Sequence, residues 1–157
     1  MIERRLITVA EDLSRRTGRR PREAFMRRAV STAYYALFNA LARMCANELI
    51  GGSKAHTPEW TRVYRALDHR GAKSALQSSD AAALDRRVAR IGRAFAVLQE
   101  RRHQADYDPA FFPFYFDETT ALVQLASSAI DDLHGLGVED RRSLATLLLF
   151  KRPGGQK

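Results

Sequence analysis

The chain has 157 residues, 45% hydrophobic and 28% charged, the proportions of a soluble globular protein with enough length for one sizeable core. Its 26 Lys and Arg residues against 18 Asp and Glu give a formal net charge of +8, which favours polyanionic partners. A single cysteine, Cys45, excludes an intramolecular disulfide and a cysteine-based metal site, and His56, His69, His103 and His134 lack the close pairing of a helical zinc motif.

In chain order, Ile2, Leu6, Val9, Ala10 and Leu13 recur at helical spacing and predict a first helix over 2–16. Thr17-Gly18-Arg19-Arg20-Pro21 ends it and opens the next. Nine arginines fall in the first 28 residues, the densest positive region of the chain. The longest predicted helix runs from Pro21 to about Ile50, with Met26, Val30, Ala33, Leu37, Leu41 and Met44 on its apolar face. Opposite them, Arg28, Thr32, Tyr35 and Asn39 fall within about 60° of one another at 100° per residue. That stripe holds only hydrogen-bonding side chains, with no Glu or Lys, which suits a polar cleft.

Thr57-Pro58-Glu59 reads as a capped helix start, continued by Trp60, Val63, Tyr64 and Leu67 and stopped by Gly71. His69 then lies near a helix C-terminus, a structural position on the dipole. Ser78-Ser79-Asp80 caps a further helix whose apolar stripe is Leu84, Val88, Ile91, Phe95 and Leu98. The next step on that stripe is Arg102, where a Leu would be expected. A guanidinium there needs an anion, and Asp106, one turn on, is its nearest candidate in sequence. Tyr107 and Asp108 follow before Pro109 breaks the helix.

Five of the chain's aromatics crowd into Ala110–Phe116, a segment suited to locking a loop onto the core or filling an oligomer interface. Leu122, Leu125, Ala126, Ala129 and Leu133 predict another helix from near Asp117, and Leu144, Leu147 and Leu148 a short last one. Residues 151–157 form a basic tail expected to be disordered. No strand pattern, phosphate-cradling glycine motif or nucleophile elbow is present. The expected architecture is all-α, an up-and-down bundle of about five to six helices forming a single domain over residues 1–150. No apolar run is long enough to cross a membrane, and no secretory signal follows Glu3, Arg4 and Arg5, so a cytoplasmic location is expected.

Two segments carry a family resemblance. Arg27-Arg28-Ala29-Val30-Ser31-Thr32-Ala33-Tyr34-Tyr35-Ala36-Leu37-Phe38-Asn39 resembles the "R-A-x-S-x-A-Y-Y-A-x-F-H" helix of small prokaryotic HEPN domains. Arg102-His103-Gln104-Ala105-Asp106-Tyr107-Asp108 is similar to their "R-x-x-A-D-Y-D" segment, in the same order and spacing. The likeness is strongest over residues 22–134. It implies a homodimeric helical bundle, and in many such domains a metal-independent endoribonuclease of a toxin–antitoxin pair whose antitoxin is a small nucleotidyltransferase. No cofactor or metal is implied. The family's active motif ends in a His that would fall at 107–109, where this chain has Tyr107, Asp108 and Pro109.

The resemblance places Arg102 as binder of an RNA or nucleotide phosphate, with Arg28, Tyr35, Asn39 and Tyr107 lining the cleft. In a cleaving enzyme, His103 is the acid–base group, oriented by Asp106 or Asp108, and Arg102 stabilises the phosphorane. The rival expectation is a non-catalytic subunit that docks a nucleotidyltransferase, with Arg102 and Asp106 as a structural pair.

Overall fold

The computed structural model describes residues 1–16, 22–109 and 116–150. The aromatic segment up to Tyr115 and the basic tail lie outside the described residues. The chain is all-α: among the described residues there are eight α-helices, one 3-10 turn and no strand. The helices are α1 (Ile2–Ser14), α2 (Arg22–Leu49), α3 (Pro58–Ala66), α4 (His69–Leu76), α5 (Ser79–Ala82), α6 (Arg86–Tyr107), α7 (Phe116–His134) and α8 (Val138–Leu149). None is long and apolar enough to cross a membrane among the described residues.

Eight helices exceed the expected five to six because two predicted helices divide. Gly71 does not stop a helix. Its backbone N–H donates to Asp68 Oδ1 at 2.7 Å, so Asp68 is the N-cap of a new helix, α4. The chain turns at Leu67, and His69 opens α4 where a helix C-terminus was expected. Ser78 caps as predicted, accepting from the Ala81 N–H, but the helix it starts is the single turn α5. Asp85 then restarts the chain: its Oδ1 accepts the Arg87 N–H at 2.8 Å, and α6 follows. Leu84 therefore precedes α6 and lies outside its stripe. At the other end, α6 stops at Tyr107, before Pro109.

The described residues group into two compact units. Residues Met1–Ala40 with Arg93–Asp131 form one, and Leu41–Gly92 with Asp132–Lys157 the other.

In the first unit, α2 presents small residues to its neighbours: Ala29, Ala33, Ala36 and Ala40 are all buried. Small side chains let helix backbones approach closely, and larger ones fill the rest, with Tyr34 and Phe95 rings 5.5 Å apart. Arg4 pairs with Asp131 on the surface of this unit.

In the second unit, Trp60 is 4% exposed, and its indole N–H donates to Asn47 Oδ1 at 2.9 Å. Its ring stacks on Tyr64 at 5.1 Å, and Arg43 lies over it at 5.7 Å. Thr57 caps α3 by accepting the Trp60 N–H, with Pro58 at the first turn, as the sequence predicts. Arg141 ties α8 down by donating to Glu48 Oε1 at 2.8 Å and to the Leu136 carbonyl at 2.7 Å. Gly92 lies so close to α4 that a Cβ there would sit 2.9 Å from the Leu76 carbonyl oxygen. Gly51, at φ 108°, ends the α2 region in a conformation that side chains resist.

Candidate functional site

The site belongs to the first unit and begins with how α6 ends. The last carbonyls of a helix have no partner within it. Here Arg27, from the first turns of α2, supplies one: its Nη1 donates to the carbonyls of Gln104 at 3.3 Å, Ala105 at 2.9 Å and Asp108 at 2.7 Å. A cation at that end also meets the negative pole of the helix dipole. Glu23 holds the other side of the same guanidinium at 2.8 Å. The last turn of α6 is thereby fixed against α2, and with it the side chains on either side.

One turn along α2 from Arg27, Ser31 is buried, and its hydroxyl donates to Asp106 Oδ2 at 3.3 Å. Asp106 Oδ2 in turn lies 3.8 Å from Arg102 Nη1. That is an ion pair in range but too long for a hydrogen bond. The Arg102 guanidinium is held by rings: its Cζ is 5.2 Å from the Tyr34 centroid, 5.4 Å from Tyr35 and 5.8 Å from Tyr107. Such placement over aromatic faces is favourable for a cation and leaves its N–H donors unused.

Those donors are the unusual feature. Arg102 makes no hydrogen bond to any described residue, although only 12% of its side chain is exposed and its Nε is buried. Arginine has five N–H donors in a planar fork, and buried polar groups are nearly always satisfied. Among the described residues the Arg102 Nε–H has no acceptor, and the nearest carboxylate, Asp106, stays beyond hydrogen-bonding distance.

The surrounding tyrosines differ in exposure. Burial pushes the Tyr34 phenol up to about 12, against the opposing pull of the Arg102 charge and of a hydrogen bond with Gln99. Tyr35 is 37% exposed and Tyr107 65% exposed. His103 is exposed, with its ring 5.0 Å from that of Tyr107. Tyr107 thus touches both the guanidinium and the imidazole.

Of the residues singled out from sequence, the structure brings together Arg102, Asp106, Tyr35 and Tyr107, with His103 against the last. Asp108 contributes its backbone carbonyl to Arg27, and its own N–H donates to the Gln104 carbonyl at 3.1 Å. Arg28 is exposed, Asn39 is half-buried further along α2, and neither is joined to Arg102 by a recorded contact.

Four residues that sequence reasoning passed over belong to the group: Arg27, Ser31, Tyr34 and Gln99. The first three were legible as a pattern. Positions 27, 31, 34, 35 and 38 span about 100° of the α2 wheel, and their centre lies about 80° from that of the stripe 28, 32, 35 and 39. Tyr35 lies on both. Among the described residues no cluster of His, Cys, Asp and Glu could hold a metal ion. Comparison with family models, with curated proteins and with solved structures gives no match to this chain.

Proposed function

We propose that this is a HEPN-like RNA-binding protein, acting as a homodimer, in which Arg102 takes a phosphate of the RNA backbone. The observation that carries the reading is the Arg102 guanidinium held against three tyrosine rings with no hydrogen bond to any described residue. Its fork matches two phosphate oxygens, and the part-exposed aromatic side chains of Tyr35 and Tyr107 suit an unpaired base beside that phosphate. The +8 charge supplies the long-range attraction.

A second reading, that the bound RNA is cleaved, is favoured by His103. Its imidazole and the Arg102 guanidinium flank the same Tyr107 ring. In that chemistry the ribose 2′-oxygen attacks the adjacent phosphorus and the bond to the 5′-oxygen breaks. The products are a 2′,3′-cyclic phosphate and a 5′-hydroxyl. His103 moves the proton from the attacking to the leaving oxygen, and Arg102 bears the charge of the phosphorane.

The test is binding of a labelled single-stranded RNA in EDTA, followed by anisotropy and on a gel. Arg102→Ala should weaken binding by about ten- to a hundredfold, the worth of one charge-assisted bidentate contact. Arg28→Ala should cost about threefold, as a general phosphate contact. Equal losses at the two positions would mean diffuse electrostatic attraction and no site. Cleavage products that vanish in His103→Ala establish the second reading, and intact RNA with the wild-type protein removes it.

A further inference from the structure

We infer that Asp106 is a specificity-determining residue, which denies a doubly charged terminal phosphate its advantage over a singly charged phosphodiester at the Arg102 site. The inference rests on the reading of Arg102 as a phosphate binder and goes on to separate backbone RNA from free nucleotide.

The geometry points this way for three reasons. At 3.8 Å the Asp106 carboxylate does not consume the Arg102 donors, yet it stands beside them. A phosphate oxygen hydrogen-bonded to Nη1 would lie about 5 Å, and at most about 7 Å, from Oδ2, inside the Debye length of about 8–10 Å, where salt screens charges only in part. Second, the carboxylate is held there. Ser31 is 1% exposed and donates to the same oxygen at 3.3 Å, so a buried hydroxyl keeps Asp106 from closing on Arg102. Arg141 and Glu48, by contrast, close to 2.8 Å.

Third, among the described residues the cations nearest in sequence are committed elsewhere. Arg27 is engaged by three carbonyls and Glu23, and Arg101 donates to Gln104 Oε1 at 3.1 Å. Among the described residues the site thus sets one guanidinium beside one carboxylate.

A backbone diester carries one negative charge, whereas a terminal phosphate carries about −1.5 to −2 at neutral pH. Each charge gains from Arg102 and is repelled by Asp106, so the second charge brings little net attraction here. With Asp106 neutralised it brings the full attraction. Coulomb's law at about 5 Å, with a dielectric between roughly 40 and 80, puts the difference at about five- to fifteenfold in relative affinity.

The experiment uses the full chain and two competitors of a labelled single-stranded RNA: adenosine 5′-monophosphate and its methyl phosphodiester. They share base and sugar and differ in one charge. The wild type should bind the diester and the monoester within about threefold of each other, the second charge bringing little gain. Asp106→Asn should shift the ratio toward the monoester by about five- to fifteenfold, and Asp106→Ala, the second variant, should do the same. Ser31→Ala should free the carboxylate to close on Arg102 and weaken both competitors several-fold, but leave them unchanged when combined with Asp106→Asn. A structural role would lower stability without moving the ratio. A ratio that stays within twofold in both Asp106 variants, with RNA binding still dependent on Arg102, overturns this inference alone. If Arg102→Ala binds RNA as well as the wild type, the phosphate reading falls, and this one with it.

Discussion

Removing the Arg27 guanidinium tests whether one side chain holds the end of α6. Its Nη1 has two hydrogens for three carbonyls, so the bonds at 2.7 Å and 2.9 Å count fully and the one at 3.3 Å little. Charge-assisted bonds contribute about 1.5–3 kcal/mol each when buried, and the Asp108 carbonyl is exposed, which lowers its share. The Glu23 pair adds almost nothing, because Glu23 is 62% exposed. Arg27→Ala should therefore cost about 2–3 kcal/mol, or about 5–10 °C in melting temperature for a chain of this size. Arg28→Ala is the matched control: the neighbouring guanidinium is exposed, and its loss should stay within about 0.5 kcal/mol. Denaturant unfolding of both variants measures this, and amide exchange locates it. The amides of the last turn of α6 should lose protection in Arg27→Ala before the rest of the helix. A loss below about 1 kcal/mol, or equal losses in the two variants, would refute the capping role.

Three further outcomes follow from individual contacts. Gly92→Ala would normally gain about 1 kcal/mol of helix propensity, but a Cβ 2.9 Å from the Leu76 carbonyl should make it a net loss of about 1–2 kcal/mol; a stabilised variant would show that α4 yields easily. The hydrogen bond from Arg90 holds the Asp132 carboxyl below the ordinary carboxylate value, so the stability it brings is present above that value and lost as pH falls through the depressed one. Acid titration of stability should accordingly be shallower in Asp132→Asn. Burial pushes the Cys45 thiol up to about 12, so a disulfide reagent at mildly alkaline pH should find no reactive thiol in the native protein and one after unfolding.

The all-α class was legible because helical periodicity is long in α2, α6 and α7, where burial repeats over many turns. The breaks at Leu67 and Leu84 were not, because each depends on a side chain choosing a cap. Asp68 and Asp85 satisfy N–H groups two or three residues ahead, and nothing in the hydrophobic spacing distinguishes that from a continuing helix. The pairing of Arg102 with Asp106 was legible from four-residue spacing. That Ser31 bonds to Asp106, and that Arg27 rather than Arg28 turns toward α6, depends on helix rotation. A wheel with buried Ala29, Val30, Ala33 and Tyr34 leaves either flank open to the neighbouring helix. Only the contacts across α2 and α6 decide between them.

The chain's one tryptophan gives it a built-in spectroscopic label. Trp60 is shielded from water, bonded to Asn47 and stacked on Tyr64, so its emission reports the packing around it in the second unit. Circular dichroism, by contrast, sums every helix. Emission and ellipticity followed along the same urea gradient therefore compare a local event with a global one. Superimposed curves mark a single cooperative transition. A red shift in emission that precedes the loss of ellipticity marks an intermediate in which the helices carrying Arg27, Ser31 and Arg102 persist, and RNA binding measured at that denaturant concentration would report on the site by itself.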